Sequence, residues 1–364
     1  MKFHLDPNHH LGNEPPRRVA IVRSLPGLGD LLCFVPALRA LRAALPNAEI
    51  VLIGLPAAKS FVQRFNHYID DLLEFPGYPG IPEVPLSPQA VVFFLTYAQQ
   101  LRFDLALQMH GNGSCTNSFT LLLGAKLNAG FFSPGCSCPD PDYFLPYPES
   151  EPEIWRHLRL LEFLGVPLCG DHLEFPVLPS DRQELAAIAA LDALDSRNYV
   201  CIHPGASISS RRWSYQNFAE VADSLAAQGL QVVLTGTQTE AELTRGVAQA
   251  MRFPAIDLAG KTSLGAIAAL LKDARLLICN DTGISHLAAA LRVSSVVIFS
   301  NSDPQRWAPL NRQRHRVVQG NGVVQGNERP HSPAANPVAQ FSHPTPQAVL
   351  AEAFDLLEEV AYAS

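Results

Sequence analysis

The chain has 364 residues, too long for one small domain, and 47% of them are hydrophobic, enough to fill two buried cores. Its net charge of −7 lacks the basic excess that nucleic-acid binders show, so no nucleic-acid partner is expected. No apolar run reaches the length that spans a membrane, and residues 1–18 hold no apolar signal-peptide core. We therefore expect a cytoplasmic protein.

Strand and helix signals alternate along the chain after a polar tail at 1–18. Short apolar runs that end at Gly or Pro predict buried parallel strands, and apolar residues at helical spacing predict the helices that cover them. In the first half, strands are predicted within 18–24, 48–56, 103–111 and 126–132, helices within 31–45, 118–125 and 153–167, and an irregular Pro-rich loop at 133–152.

A second alternation begins near residue 199, after a proline-containing linker. Its strands are predicted within 199–205, 230–237, 255–260, 275–283 and 294–300. Its helices are predicted within 181–194, 214–229, 238–251, 263–274, 284–292 and 346–362, and a flexible Gly/Asn/Pro-rich loop is predicted at 320–344.

This alternation predicts an α/β protein with two Rossmann-like parallel-sheet domains that face each other across a cleft. We expect the first domain at 19–175, a linker and connecting helix at 176–198, and the second domain at 199–345. The last helix, 346–364, is expected to pack back on the first domain. The cleft is the default place for a ligand.

The stretch Gly27-Leu28-Gly29-Asp30 joins the first strand to the first helix, where a dinucleotide cradle would carry a third glycine. Leu32 stands at that third place, and Asp30 adds negative charge where a pyrophosphate would bind. A carboxylate in a first helical turn stabilises the helix by itself. The alternative is that Asp30 is a general base at the cleft rim and that the two glycines leave room for a substrate.

The strand at 199–205 leads into a loop that carries Ser207 and Arg211. Backbone N–H groups, hydroxyls and a guanidinium suit a diphosphate, although a solvated basic loop has the same composition. Glu240 follows the next strand, where an acidic side chain can bind ribose hydroxyls or simply occupy the start of a helix.

The most specific stretch is NDTGISH at 280–286, where a strand ends and a helix begins. Asp281 can cap that helix, and the backbone N–H groups of Thr282 and Gly283 can bind a phosphate. His286, in the first turn, can reach the phosphates or orient Asp281. A capping motif with a buried histidine explains each residue singly, but explains the whole set less well.

No metal site and no cofactor are expected. Cys136 and Cys138 stand one residue apart without the second Cys or His pair that completes a zinc site. Asp140 and Asp142 form a D-x-D pattern, but it lies in a Pro-rich loop rather than after a strand. The seven cysteines are an odd number, so we expect free, buried thiols.

Five stretches in order make the chain resemble glycosyltransferase family nine, the heptosyltransferases of lipopolysaccharide core assembly. They are GLGDLLCFVPALRALRAALP, HPGAS followed by RRW, GTQTEAE, DLAGKTSLGAIAALLKDARLLICNDTGISHLAAAL and SNSDPQRWAPL. The likeness extends from Val19 to the last helix and implies a GT-B fold. It implies an inverting transfer, without an obligatory metal, of heptose or a similar sugar from a nucleotide diphosphate donor that is typically ADP-linked.

In this family the second domain binds the donor and the first binds the acceptor, here a glycolipid or oligosaccharide of the lipopolysaccharide core or another cell-surface glycan. Asp30 matches the family's proposed base, and Arg211 falls where many members carry a lysine. The expected donor-binding residues are Ser207, Arg211, Glu240, Asp281, Thr282, Gly283 and His286. The expected acceptor-side residues are Gly27, Gly29, His110 and Gly111.

Two other functions remain open at this stage, a nucleotide-sugar epimerase of similar architecture and a non-catalytic sugar-nucleotide binding protein. A dehydrogenase is the weakest alternative because the fingerprint is broken at Leu32. Peripheral contact with the inner face of the cell membrane is expected, although an ordinary solvated surface would have the same composition. The cations expected to make that contact are Arg17, Arg18, Arg39, Arg42, Lys59 and Arg64.

Overall fold

The computed structural model describes residues 11, 14–192, 194–195, 198–320, 323–324, 340–341 and 343–363. The chain divides into two compact units, Met1–His172 and Leu173–Ser364. This division falls just before the linker expected at 176–198. The flexible loop predicted at 320–344 lies largely outside the described residues.

The first unit is built on a six-stranded, wholly parallel sheet in the order β3-β2-β1-β4-β5-β6. Its strands are β1 Arg18–Val22, β2 Glu49–Gly54, β3 Asp71–Glu74, β4 Leu105–Gln108, β5 Leu127–Phe132 and β6 Phe144–Pro146. Its helices are α1 Leu28–Leu32, α2 Val35–Ala44, α3 Lys59–Arg64, α4 Pro88–Leu101, α5 Thr116–Leu122 and α6 Glu153–Phe163.

The central strand β1 is buried from Val19 to Val22 because both faces of the sheet are covered by helices. Val19 is in register with Ile50 on one side and Leu105 on the other. On one face, α4 and α5 contribute Phe94 and Phe119 to the core. On the other side of the fold, α2 packs along α6.

The second unit repeats this plan in the order β12-β11-β10-β7-β8-β9, again wholly parallel. Its strands are β7 Tyr199–His203, β8 Gln231–Leu234, β9 Ala255–Asp257, β10 Leu276–Asn280, β11 Ser295–Phe299 and β12 His315–Gln319. Its helices are α7 Pro179–Ala186, α8 Tyr215–Ala226, α9 Ala241–Ala250, α10 Leu264–Asp273, α11 Gly283–Leu291, α12 Pro304–Trp307 and α13 Pro346–Ala363. A short antiparallel pair, β13 Val323–Val324 and β14 Gln340–Phe341, stands apart from this sheet.

The C-terminal helix α13 belongs to the second unit by its contacts. Its residues Val349, Ala353 and Leu356 are buried in the same core as Phe218 and the strands of that sheet. The sequence had suggested packing on the first domain. The apolar side of α13 is used instead beside α8 and β11, where it covers one face of the second sheet.

Two segments without predicted elements are regular. Residues 57–102 hold α3, β3 and α4, and the loop predicted at 133–152 holds the short strand β6. β6 tolerates its terminal Pro146 because it is an edge strand, whose outer side needs no ladder hydrogen bonds. The helix predicted at 181–194 is shorter than expected, because α7 ends at Ala186 and a 3-10 turn follows.

Both sheets reverse their strand order at one place, between β1 and β4 in the first unit and between β7 and β10 in the second. In open α/β sheets, ligands bind outside the carboxyl ends of the strands at such a reversal. The loops that follow these four strands are therefore where a functional site is to be sought.

Candidate active site

Asp30 lies in α1, just beyond the carboxyl end of β1. Its side chain is 21% exposed, so the carboxylate is accessible to solvent. Arg23, which directly follows β1, donates from Nε and Nη2 to the backbone carbonyl of Asp30 at 3.1 and 2.7 Å. The same Nη2 lies 3.8 Å from the Asp30 carboxylate. Arg23 therefore fixes the first turn of α1 by hydrogen bonds, and its positive charge lies close to the carboxylate of the candidate base.

Gly27, three residues before Asp30, leaves room for the Asp30 carboxylate. A Cβ at Gly27 would collide with Oδ2 of Asp30. Gly27 has a φ of −75°, which any residue can adopt, so the need for glycine here is steric. Gly29 is buried in the same short helix. Both glycines thus surround Asp30, and their expected role in admitting an acceptor stays a prediction.

Behind Asp30 lies a group of buried charges. Glu153 is 4% exposed, and its Oε1 lies 3.5 Å from Nη2 of Arg23. Its Oε2 accepts a hydrogen bond from Arg156 at 3.1 Å, and its Oε1 lies 3.6 Å from Nε2 of His157. Burial, together with the charge of Arg23, lowers the pKa of His157 to about 4. The histidine is neutral at neutral pH, so Glu153 is shared mainly by two arginines.

His110 is buried just beyond the carboxyl end of β4, in the unit that contains Asp30. Its Nδ1 accepts from the backbone N–H of Ser24 at 3.1 Å, and its Nε2 lies 3.5 Å from the Glu83 carboxylate. Burial, aided by Arg23, lowers the pKa of His110 to about 4. The neighbouring Gly111 is exposed, has a φ of +64° and faces open space. The open part of the predicted acceptor loop is thus the backbone at Gly111 rather than the His110 ring.

In the second unit, Arg211 and Asp281 form an ion pair outside the ends of β7 and β10. Nη1 of Arg211 lies 3.2 Å from Oδ2 of Asp281, whose side chain is 3% exposed, whereas that of Arg211 is 24% exposed. Nε of Arg211 is buried and has no hydrogen-bond partner among the described residues. A guanidinium that is anchored on one side, reachable from solvent and not fully bonded fits an anionic ligand.

Asn280 connects the two loops at this place. Its Nδ2 donates to the carbonyl of Pro204 at 2.8 Å, and its Oδ1 accepts from the backbone N–H of Trp213 at 3.0 Å. Asn280 is fully buried, so both ends of its amide are used inside the protein. It fixes the loop after β7 on the end of β10.

Glu240 is mostly buried and caps the turn in which it lies. Its Oε2 accepts from the backbone N–H and the hydroxyl of Thr237 at 2.8 and 2.9 Å. It also lies 3.8 Å from Nε2 of His203, at the end of β7. Burial lowers the pKa of His203, while the Glu240 charge opposes that shift. A Cβ at Gly205 would collide with the Glu240 carboxylate, so this glycine lets the two loops meet.

The start of α11 differs in one respect from expectation. Thr282, not Asp281, occupies the N-cap position, and its side chain makes no capping bond. Asp281 comes one residue too early for a cap, and its charge is held by Arg211. Ser285 donates from its hydroxyl to the Thr282 carbonyl at 2.8 Å, and His286 is 3% exposed. The structure thus brings Asp281, directly before α11, against Arg211, and it leaves Ser207 exposed in the loop after β7.

Metal-ligating side chains are dispersed through the parts of the chain that the structure describes. No three His, Cys, Asp or Glu residues there are arranged to hold a metal ion. The seven cysteines are free as expected, but the expectation that they are buried is wrong for Cys115 and Cys136, which are exposed. None of the described helices is long and apolar enough to cross a membrane.

The sequence matches glycosyltransferase family 9 (heptosyltransferase) over residues 99–331. The chain belongs to this family. Among curated family 9 relatives, lipopolysaccharide heptosyltransferase 2 of Salmonella typhimurium is 31% identical over 221 residues, which are 57% of this chain and 62% of that protein. The chain spans 50% and 62% of the length of the first two curated relatives that it matches.

Solved structures of family 9 share the fold across nearly the whole chain. A glycosyl transferase family 9 protein from Veillonella parvula superposes with a TM-score of 0.75 at 20% identity, covering 94% of this chain and 98% of that one. ADP-heptose lps heptosyltransferase II of E. coli gives a TM-score of 0.68 at 21% identity, covering 95% and 99%. The predicted fold class, GT-B with two parallel-sheet units, and the family resemblance are thereby confirmed.

Sequence reasoning missed the buried charges around Asp30. Glu153, Arg156 and His157 stand at i, i+3 and i+4 of α6, a spacing that places them together on one side of the helix. All three lie on its buried side, where an amphipathic helix would carry apolar residues. Arg23 is likewise a charge at the end of an otherwise apolar strand. Charged residues at positions where the pattern calls for apolar ones could have indicated this buried group.

Proposed function

We propose that this family 9 chain is an inverting glycosyltransferase. It moves heptose, or a similar sugar, from a nucleotide diphosphate sugar, ADP-linked, to a lipopolysaccharide-core or other cell-surface glycan acceptor. The observation that carries the proposal is the Arg211–Asp281 pair, anchored, accessible and not fully bonded, beside the start of α11 at the strand-order reversal.

The donor is assigned to the second unit. Arg211 and the first backbone N–H groups of α11 neutralise the diphosphate, and Asp281 positions the guanidinium rather than touching the phosphates. The fixed planar fork of Arg211 replaces the point charge that a lysine would supply, which favours bidentate contact with phosphate oxygens. The Glu240 carboxylate accepts hydrogen bonds from the ribose hydroxyls. Gly205 leaves the space in which this carboxylate lies. These positive groups do the work that a metal does in other transferases, so the proposed reaction needs none.

The acceptor is assigned to the first unit. One acceptor hydroxyl attacks the anomeric carbon while the bond from that carbon to the diphosphate oxygen breaks, and Asp30 takes the hydroxyl proton. A single displacement of this kind inverts the anomeric centre. General-base assistance contributes roughly 10²–10⁴-fold in rate. Arg23 and Gly27 support the proposal because they hold the carboxylate in place and keep it accessible.

The proposal is tested by Asp30→Asn. We expect transfer from ADP-heptose to a lipopolysaccharide-core acceptor to fall by at least about 10²-fold because the base is lost. ADP binding, measured by calorimetry, is expected to be unchanged because the donor site lies in the other unit. Glu74→Gln, which removes an exposed carboxylate on β3, serves as the matched control and should retain full turnover.

Three results would contradict this assignment. Near-full turnover by Asp30→Asn would exclude it as the base. Product formed from the donor alone, without acceptor, would favour a nucleotide-sugar epimerase. Tight ADP binding without transfer to any membrane extract would favour a sugar-nucleotide binding protein.

A further inference from the structure

Helix α4 exposes an apolar surface to solvent. Its 14 residues, PQAVVFFLTYAQQL, include no charged side chain. Phe94 and Ala98 are buried against the sheet, whereas Val92, Phe93 and Tyr97 are 65%, 77% and 46% exposed. A solvent-facing helix side in a globular protein ordinarily carries polar or charged residues. Here two aromatic rings and a valine lie among the uncharged polar residues Thr96, Gln99 and Gln100.

The neighbouring helix extends this surface. Gln99 of α4 donates from Nε2 to the carbonyl of Leu122 at 2.9 Å, and Phe94 stacks on Phe119, so the two helices lie side by side. Leu121 and Leu122 of α5 are 45% and 44% exposed. We name Val92, Phe93, Tyr97, Leu121 and Leu122 the α4–α5 apolar face. Scattered exposed hydrophobic residues need no explanation, but a cluster of this kind marks an interaction surface.

Cations lie at the C-terminal end of both helices. Arg102 is the exposed residue that ends α4, and Lys126, 77% exposed, follows α5. Arg17 is also exposed here, since its backbone N–H donates to Asp104, the carboxylate that pairs with Lys126. Arg18, which donates to the Leu101 carbonyl at the end of α4, pairs with Glu49 at the same edge, so four cations accompany two carboxylates there. An apolar surface with a cationic edge is complementary to an anionic lipid surface.

Three of the six cations that the sequence suggested for membrane contact are engaged within the protein. Arg18 pairs with Glu49, and Arg42 pairs with Asp70. Arg39 donates to the carbonyls of Gly170 and His172. These contacts match the ordinary surface role that was the alternative for them.

We propose that the α4–α5 apolar face binds an anionic phospholipid bilayer, with Phe93 and Tyr97 inserted at the boundary between headgroups and acyl chains. The opposite side of α4, with Phe94 and Ala98, is already buried against the sheet, so the exposed rings are not needed for the core of this unit. Aromatic rings suit this boundary because they place an apolar body in the lipid and a polar edge in water. A bilayer with anionic headgroups is complementary to the apolar face and to the cations Arg102 and Lys126 beside it.

The experiment is flotation of the full chain with vesicles of phosphatidylcholine containing phosphatidylglycerol. The variant Phe93→Ser/Tyr97→Ser should bind at least about tenfold more weakly, because burial of an aromatic side chain is worth on the order of tenfold or more in partitioning. Arg102→Asn/Lys126→Gln should lose the preference for anionic over pure phosphatidylcholine vesicles. Phe253→Ser and Lys272→Gln remove an exposed ring and an exposed cation in the second unit and should bind like the parent chain.

The proposal is overturned if the parent chain does not float with the anionic vesicles, or if Phe93→Ser/Tyr97→Ser floats as well as the parent while keeping its thermal unfolding transition. It is also overturned if that variant converts a dimer to a monomer in sedimentation without changing flotation, since the face would then join two copies. The measurement needs neither sugar donor nor acceptor. Its failure would leave the proposed transfer reaction untouched, and loss of transfer would leave the vesicle result standing.

Discussion

At the residue scale, the first unit keeps several ionisable groups away from water by pairing them or leaving them neutral. Arg23, 1% exposed, is tolerated because its donors reach the carbonyls of Asp30 and Met109 as well as the Glu153 carboxylate. His157 is tolerated because it is uncharged. Acid disturbs the second arrangement, since protonation of the imidazole places a further positive charge beside Arg23 and Arg156.

The buried histidine makes stability depend on pH. The pKa of His157 is about 4 in the folded chain against 6.5 as its ordinary value, so the unfolded chain binds a proton more readily. The stability that this residue contributes is present above pH 6.5 and is lost as the pH falls toward 4, by about 1.4 kcal/mol per pH unit at most. His157→Leu should therefore show a shallower decline in the free energy of unfolding over this window, measured by urea titration.

His67→Leu is the matched control, since His67 is exposed on the surface of the same unit. Its decline with acid should follow that of the parent chain. Identical declines in His157→Leu and in the parent would show that the buried imidazole carries no such linkage.

At the element scale, the second unit's candidate site depends on two loops that pack closely because a glycine leaves room for the other loop's side chain. Gly205 after β7 lies directly against the carboxylate of Glu240 after β8. His203 and Thr235, the residues that end or follow the same two strands, are joined by a hydrogen bond of 3.0 Å. The two loops therefore act as one unit, and a change in one displaces the other.

Gly205→Ala tests this coupling. The added methyl collides with Glu240, so we expect a loss of about 1–3 kcal/mol in unfolding free energy, typical of overpacking, together with weaker ADP binding. In a Glu240→Ala background the same substitution should change the unfolding free energy little, because the colliding carboxylate is absent. The four chains are compared by thermal unfolding and ADP calorimetry. Equal costs in both backgrounds would show that the glycine is needed for another reason.

The strands and helices that could be predicted are those whose pattern depends on the local sequence alone. β1, β10 and β11 are continuous apolar runs between turn residues, and any sheet would bury them. Helix α4 went unpredicted because the apolar residues on its exposed side erase the helical period. β6 went unpredicted because its pairing with β5, a contact between distant segments, overrides the prolines around it.

The candidate site divides in the same way. The residues 281–286 and Asp30 could be singled out because each stands at a strand-to-helix turn, a local feature. Arg211 could be singled out as well, but the contacts that hold these residues could not. Glu153 approaches Arg23 only through the packing of α6, and Arg211 approaches Asp281 only because β7 and β10 are neighbours. The sequence indicates Asp30, Asp281 and Arg211, whereas the pairing of Arg211 with Asp281 and the whole Arg23–Glu153 pair depend on the fold.

At the scale of the whole molecule, the chain carries two sheets of the same strand order, each with its own core. The groups that suit a diphosphate lie in the second unit, and the accessible carboxylate Asp30 lies in the first. This separation predicts that a nucleotide alone will affect one half of the chain.

Hydrogen exchange with and without ADP tests that separation. At an ADP concentration of 100 Kd, opening reactions that expose the site should become less favourable by about 2.7 kcal/mol. Protection is expected at 203–213, 236–241 and 281–286, and not at 23–30 or 108–113. Arg211→Gln, with its guanidinium removed, should lose most of the protection. Equal protection in the first unit would contradict a donor site confined to the second.

Each sheet carries a side-chain bond across the place where its strand order reverses, from Ser24 to His110 in one and from Asn280 to the Pro204 carbonyl in the other. These bonds are made before any ligand arrives. The floor of each site therefore has little conformational entropy left to lose on binding, and the cost of ordering falls on the ligand and on exposed loop positions such as Ser207 and Gly111. Different ligands can then be accommodated by the exposed loops, while the buried residues at the strand ends keep the same arrangement.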